Sequence, residues 1–413
     1  MAKYTRTIEI KNVGPIEVAK ISLNRYNVFV GKQSSGKSTI AKILSNSIWM
    51  ENNIATHPFN PVSIYENTYL EELEEFHNMG GYFYGDSYIK YDSEFVTILL
   101  EKGKCQITKK QSIVEFQRRK TLYIPSERNM VVYTDSIGGA NNLRSFAADW
   151  QSARDYFDER HNQKVLDLGI RYYKTGENGK TINHVASLDR KRPYDINLKA
   201  GSSGLQSVIP ITIAIDFFTG AFFDAKTQEQ LMKSNEKYAV RQLLEYYIKS
   251  HQIKGVDASR ESILNSMEEM VSKVKTNATN FVIEEPENNL FPETQFSLLN
   301  FIIECTQREN RKHEASITTH SPYVLSTLNI LLLAGKLAKN ENLITEVRQI
   351  AGDTWIDTEE FSAWSVSGGK VYSLIDKTTQ MINENYLDSV SDVLAGKFNE
   401  LYKLYVKELR IRK

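Results

Sequence analysis

An α/β fold is predicted by three stretches of this 413-residue sequence. The apolar run Tyr26-Asn27-Val28-Phe29-Val30 reads as a strand, Gly31-Lys32-Gln33-Ser34-Ser35-Gly36-Lys37-Ser38 as a tight glycine-bounded loop, and Thr39-Ile40-Ala41-Lys42-Ile43-Leu44 as the helix behind it. Far downstream, Phe281-Val282-Ile283 is a bare apolar strand of the kind buried on both faces, and it ends in Glu284 and Glu285. Ala315-Ser316-Ile317-Thr318 is the next strand, followed by Thr319-His320-Ser321-Pro322.

The remaining elements follow in order. Residues 7–10 and 16–23 read as strands around a turn at Val13-Gly14-Pro15, and 38–50 continues the loop's helix. Short strands at 82–86, 87–91, 95–101 and 105–108 are joined by Gly/Asp turns, and Leu122-Tyr123-Ile124-Pro125 reads as another core strand. Residues 140–170 look helical, with Leu143, Phe146, Ala147, Trp150, Ala153, Tyr156 and Phe157 at helical spacing, which makes them a packing face. A hairpin follows at 171–198. Residues 204–275 are mostly helical, including the charged stretch 228–273. The tail alternates helix and strand and closes on a helix at 390–413, where Arg410, Arg412 and Lys413 suit the helix dipole.

A loop near the start and an acidic strand end far downstream must share one domain if both touch one ligand. The expected organisation is therefore a discontinuous core at 1–127 and 199–335, an inserted lobe at 128–198, a helical insertion at 220–278 within the core, and a C-terminal α/β extension at 336–413. No repeat and no low-complexity linker interrupts it.

Bulk composition narrows the function classes. Lys+Arg and Asp+Glu both total 51, so a net charge of zero exerts no global pull on nucleic acid or anionic membrane. Two cysteines, Cys105 and Cys305, make neither a disulfide framework nor a metal spacing, and the 7 histidines form no ligand pair on one helix face. No signal peptide is visible at the start. The most apolar stretch, 207–223, carries Pro210 and Asp216 and reads as a buried core helix. A cytoplasmic protein without a membrane span is expected.

The chemistry is concentrated in four places. Gly31, Gly36, Lys37 and Ser38 match G-x-x-x-x-G-K-[ST], whose glycines let backbone N–H groups turn toward phosphate oxygens while the following helix adds its positive end. Lys37 would reach the β- and γ-phosphates of ATP and the Ser38 hydroxyl would ligate Mg²⁺, with Ser34, Ser35 and Thr39 completing the loop. At the acidic strand end, Glu284 can hold the Mg²⁺ shell and Glu285 can polarise an attacking water. Ser202-Ser203-Gly204-Leu205-Gln206 opens a long apolar helix, so Ser203, Gly204 and Gln206 are candidates for a second γ-phosphate-binding element. His320, just after a strand, is a candidate γ-phosphate sensor.

Taken in order, these strings resemble the Walker A, signature, Walker B, D-loop (Glu287 to Leu290) and H-loop motifs of ABC-type ATPases. The opening Ile8-Glu9-Ile10-Lys11-Asn12-Val13-Gly14-Pro15-Ile16 is similar to the first strand of the SMC/RecF/OLD group. Tyr123-Ile124-Pro125-Ser126-Glu127-Arg128 and Ile283-Glu284-Glu285-Pro286-Glu287 resemble OLD-like AAA ATPases of prokaryotic defence systems. The resemblance covers residues 1 to about 330. It implies a P-loop NTPase head of the ABC type, a mixed-sheet core with an inserted, mostly helical lobe, and hydrolysis of ATP with Mg²⁺. It also implies Glu285 as general base, Lys37 and His320 beside it, and Glu127 at the Q-loop position near the metal. Two copies would close on the nucleotide, one supplying Lys37, Ser38, Glu284, Glu285 and His320 and the other Ser203 and Gly204.

Such a homodimer or higher oligomer would act as a switch on a separately encoded effector, a nuclease or toxin. A RecF-like repair ATPase binding DNA through Lys109-Lys110, Arg118-Arg119-Lys120 and Arg190-Lys191-Arg192 is the alternative; the energy subunit of a membrane transporter fits least. Departures from the pattern are Lys32-Gln33 in place of Pro-Asn, Glu284 in place of Asp, and Leu205 in place of a second glycine.

Overall fold

The computed structural model describes residues 6–57, 60–110, 116–133, 141–177, 180–224, 227, 276–383 and 395–403. Most of the expected helical insertion at 220–278 and of the final helix at 390–413 lies outside the described residues.

Glycine and chain-reversal chemistry set up the first elements. β1 (Arg6–Val13) and β2 (Ile16–Leu23) form an antiparallel hairpin about Gly14, whose φ of 51° suits a residue without a Cβ. Ile8, Ile10 and Val13 alternate with more exposed residues on β1, which buries one face only. β4 (Phe83–Asp92), β5 (Val96–Glu101) and β6 (Lys104–Lys109) extend this antiparallel half. The stretches 82–86 and 87–91, which read as two short strands, fall in one strand, Phe83–Asp92. Asn12 donates to the Asp86 carboxylate at 2.8 Å, and a register shift between Lys11 and Val13 absorbs the irregularity.

The other half is parallel. β3 (Tyr26–Val30) and β12 (Ala278–Glu284) are buried at every position, as strands covered on both faces must be. β13 (Glu314–Thr319) pairs with both, β7 (Arg119–Ile124) pairs with β12, and β14 (Phe361–Ser367) pairs with β3. With β15 (Lys370–Ser373), the eleven strands run β6-β5-β4-β1-β2-β15-β14-β3-β13-β12-β7. Two strands from the tail, expected in a C-terminal extension, thus sit in the middle of this sheet beside the loop-bearing strand.

Tyr26, Val28 and Val30 face one hydrophobic core and Phe29 the other, as strand alternation requires. On the Phe29 side pack α1 (Lys37–Thr56) and α2 (Val62–Glu71). The opposite core holds α3 (Asn141–Arg154), α4 (Ser203–Thr219), α5 (Pro292–Thr306) and α6 (Pro322–Leu337). A short α7 (Ile344–Ala351) follows α6. The apolar stretch Ser203–Phe223 is long and apolar enough to cross a membrane, yet most of it is buried within the fold, so it serves as a core helix.

Residues 128–198, expected to be mostly helical, carry α3 and a four-stranded antiparallel sheet of order β11-β10-β9-β8. Its strands are β8 (Gln163–Lys164), β9 (Ile170–Glu177), β10 (Lys180–Ser187) and β11 (Asp195–Asn197). The helix expected to run on to 170 stops at Arg154. Asp158 then accepts from the amides of Arg160 and His161, each at 2.8 Å, a side-chain turn that competes with helix.

Candidate functional site

Parallel pairing brings the motifs together. Thr319 lies opposite Val30, Glu284 opposite Thr318 and Ile283 opposite Ile124, so the loop after β3, the acids after β12, His320 after β13 and the turn after β7 emerge at one edge. Ligands in open α/β sheets bind at this carboxyl end of the strands.

The loop is shaped for close approach. Ser34 has φ 60° and Gly36 φ 106°, and a Cβ on Gly36 would stand 2.3 Å from Ile16 Cδ1. A Cβ on Gly31 would stand 2.4 Å from the Val366 carbonyl oxygen of β14. No side chain caps α1 at Gly36, and its first turn carries no acid, which leaves the amides of a 20-residue helix to an anion. Lys37 is buried, and its Nζ donates to the carbonyls of Gly31 and Lys32, both at 2.9 Å. Burial pulls its pKa down, while Glu285, Glu287 and Glu284 pull it up.

Ser38 Oγ donates to Glu284 Oε2 at 3.3 Å. Tyr123 of β7 donates its hydroxyl to the other oxygen, Glu284 Oε1. Burial raises the Glu284 pKa, and the donors Tyr123 and Ser38 hold it back only in part. A buried carboxylate and a hydroxyl side by side are hard oxygen donors of the kind Mg²⁺ takes. No group of three or more His, Cys, Asp or Glu among the described residues is arranged to hold a metal ion, so a metal here would need oxygens from a phosphate as well.

Glu285 sits at φ 42°, a left-handed conformation that costs a non-glycine residue energy and clusters at functional sites. Its carboxylate accepts from Asn288 Nδ2 at 3.0 Å, and its amide donates to the Thr318 carbonyl at 3.0 Å. His320 Nδ1 lies 3.5 Å from both Glu285 Oε1 and Glu287 Oε1. Glu287 Oε1 accepts from the Thr319 hydroxyl at 2.6 Å and the His320 amide at 2.8 Å, which ties the two strand ends together. Ser35 Oγ, Glu287 Oε2 and His320 Nδ1 are buried polar atoms without a hydrogen-bond partner. Unpaired buried groups are costly, and three around one loop fit a site built for a polar ligand. Thr39 is buried at the start of α1.

The other candidates divide. Ser203 is exposed at the start of α4 and Gly204 lies where a Cβ would come within 3.0 Å of the Asn289 carbonyl, so this helix start abuts the loop after Glu285. Gln206 is turned inward instead. Its Nε2 donates to the carbonyls of Lys199 and Gly201, each at 3.1 Å, and its Oε1 accepts from Tyr133 at 2.7 Å. It braces the loop before α4 and is not presented to an anion, which corrects the expectation for this residue. Glu127 is exposed and shows no hydrogen bond to Ser38 or Glu284 among the described residues. It acts on the site only through its field on Tyr123, Arg128 and Glu284.

Two residues were missed as functional. Tyr123 and Arg128 both stand in the string Tyr123-Ile124-Pro125-Ser126-Glu127-Arg128, but their roles come from contacts across the fold. Arg128 is fully buried and donates to the carbonyls of Glu284 at 3.0 Å, Glu285 at 3.1 Å, Pro286 at 2.9 Å and Ser207 at 3.1 Å. Burial pulls its pKa down to about 10, against the field of Glu287, Glu285, Glu127 and Glu284.

No protein-family model matches the chain, and no curated protein does. Solved structures resemble it in fold. One is an SMC head bound to the C-winged helix domain of ScpA, at 10% identity and a TM-score of 0.42, covering 90% of this chain and 98% of that one. Another is the SMC head domain from Thermotoga maritima, at 9% identity and 0.36, with the same coverage of 90% and 98%. A third is the recombination mediator protein RecF, at 9% and 0.31, again covering 90% and 98%. Scores and identities this low leave the reading of the site to its own side chains. On those, the chain is an α/β protein whose mixed sheet gathers the glycine-bounded loop 31–38, an acidic strand end and a histidine on one edge.

Proposed function

We propose that this chain binds ATP with Mg²⁺ at residues 31–39 and hydrolyses it to ADP and phosphate as an ABC-type ATPase. The observation that carries the reading is the meeting of Ser38 and Glu284 at 3.3 Å, a hydroxyl from the helix after the phosphate loop and a carboxylate from β12, a parallel strand separated from β3 by β13. Lys37, which lies folded onto loop carbonyls, would exchange these neutral partners for phosphate oxygens and balance their charge. Glu285 is the general base: it stands at the strand end beyond Glu284, oriented by Asn288 and within 3.5 Å of His320. His320 would hold the γ-phosphate from the other side. Ser38 and Glu284 would hold Mg²⁺, which when bound supplies positive charge against the phosphates.

The exposed start of α4 supports the two-copy arrangement, in which Ser203 and Gly204 of one copy complete the site of another and hydrolysis releases the pair. We assign the resulting switch to a sensor or regulator of prokaryotic anti-phage defence that governs a separately encoded effector, a nuclease or toxin. The strings at 123–128 and 283–287 support this finer assignment. The DNA-repair alternative draws less support from the structure. Lys110 pairs with Asp92, Arg119 with Glu314 and Lys120 with Asp149, so part of the candidate basic surface is engaged within the chain.

The test is to purify the chain with its gene neighbour and to measure particle mass and ATP turnover with and without DNA. Turnover, ATP-dependent assembly and co-purification of the neighbour are expected. A chain that neither binds nor hydrolyses ATP would overturn the ATPase reading, and turnover that requires DNA would favour repair.

A further inference from the structure

A cavity of about 570 Å³ opens along the edge strand β7, between α1, the π-helical segment Glu72–Phe76 and α3. Its volume lies in the range of small-molecule sites. Trp49, Phe76 and His77 contribute rings to its wall; Arg118 and Lys120, the latter shared with Asp149 at 2.8 Å, contribute cations, and Glu72 contributes an acid. Trp49 is 42% exposed, unusual for so large an apolar ring on a core-packed helix. His77 is 1% exposed and its Nδ1 has no hydrogen-bond partner. Burial pulls the His77 pKa down to about 3, so the ring is neutral and Nδ1 can serve as donor or acceptor according to tautomer.

Rings able to stack, cations at one margin and an unused buried nitrogen together suit a ligand with a planar heterocycle and a negative charge. The cavity also touches the candidate catalytic site. Tyr123 forms part of its wall, packs edge-on against His77 with ring centroids 5.4 Å apart, and gives its hydroxyl to Glu284 Oε1. The other Glu284 oxygen receives Ser38.

We propose that this cavity binds a small nucleotide, separately from the phosphate loop, and that Tyr123 reports its occupancy to Glu284. The regulatory half rests on the ATPase reading above; the binding half does not. A ligand that fits only one setting of the Tyr123 ring biases Glu284 by its differential affinity for that setting.

Nucleoside 5′-monophosphates lack the β- and γ-phosphates that Lys37 would hold, which makes AMP, GMP, CMP and UMP suitable probes. Calorimetric titration of the full chain is expected to show saturable binding of at least one. Trp49→Ala should weaken it about tenfold, the worth of one lost base stack. Lys120→Gln should weaken it in the same direction, and both variants should bind a fluorescent ATP analogue as the parent does. In the parent, the bound monophosphate should change ATP turnover about fivefold. Tyr123→Phe keeps the ring, should keep monophosphate binding, and should lose that response. No saturable binding of any of the four, or binding undiminished by both Trp49→Ala and Lys120→Gln, overturns the site. A Tyr123→Phe variant that still responds overturns the coupling. If the parent shows no ATP turnover, the ATPase reading fails with the coupling, while calorimetry still decides the site.

Discussion

Arg128 holds the main chain of Glu285: its Nη2 donates to the Glu285 carbonyl at 3.1 Å while that residue sits at φ 42°. The same guanidinium takes the Glu284 and Pro286 carbonyls and, through Nε, the Ser207 carbonyl of α4. A planar fork of five donors is the side chain suited to so many fixed acceptors. One buried group thus joins the helix that begins at Ser203 to the strand end that carries the proposed base.

Replacing this group should cost both stability and turnover. Arg128→Ala is expected to lower unfolding free energy by roughly 3–5 kcal/mol, because four carbonyls lose a charged donor and each unsatisfied buried acceptor costs about 1–3 kcal/mol. Arg128→Lys keeps the charge but cannot span the same carbonyls; in it, ATP turnover should fall well below the parent's with nucleotide affinity little changed. Urea titration and steady-state kinetics read the two effects. Equal losses of affinity and turnover in Arg128→Lys would deny it a part in placing Glu285.

Glu285→Gln keeps the shape and the Asn288 hydrogen bond but removes the base. Turnover should drop by about two to four orders of magnitude, the usual worth of a general base. ATP should still bind, and an ATP-bound dimer or higher assembly should accumulate on gel filtration. Unimpaired turnover would retire the role.

The loop makes two separable demands. Lys37→Ala should abolish binding of a fluorescent ATP analogue and leave circular dichroism unchanged. Gly31→Ala should instead strain the contact with β14, because its Cβ would stand 2.4 Å from the Val366 carbonyl. Overpacking of this kind costs about 1–3 kcal/mol, so both melting temperature and ATP affinity should fall. A Gly31→Ala protein with the parent's melting temperature would mean that β14 yields without cost.

Glu284 predicts a pH dependence. Burial raises its folded pKa above the unfolded value. Its contribution is therefore neutral below the unfolded pKa and becomes destabilising as pH rises through the folded one. Without metal, Glu284→Gln should melt at a higher temperature than the parent above that window and show a flatter stability–pH profile. Adding Mg²⁺ with ATP should raise the parent's melting temperature and have little effect on Glu284→Gln. A variant less stable than the parent at neutral pH would contradict the account.

Much of the candidate site was legible because its signals are local. Gly31, Gly36 and Lys37 act through a few consecutive backbone angles, and a strand ending in Glu284-Glu285 advertises its burial by an unbroken apolar run. The inward turn of Gln206 was not legible: nothing in Ser202-Ser203-Gly204-Leu205-Gln206 tells that Tyr133 and the carbonyls of Lys199 and Gly201 compete for its amide. Arg128 stood in a motif string but without a role, since its partner Glu284 is 156 residues away.

By itself the sequence determined the strand–loop–helix start, the apolar runs of strands covered on both faces, and the residue types able to do phosphoryl chemistry. These follow from backbone conformation and hydrophobic burial, which act over short stretches. Only the tertiary structure decided that β14 from the tail lies against the loop-bearing β3, that Tyr123 supports Glu284, and that Arg128 clamps Glu285 to α4. Strand order and buried hydrogen bonds depend on which distant segments meet, and that choice is made by the packing of the whole chain.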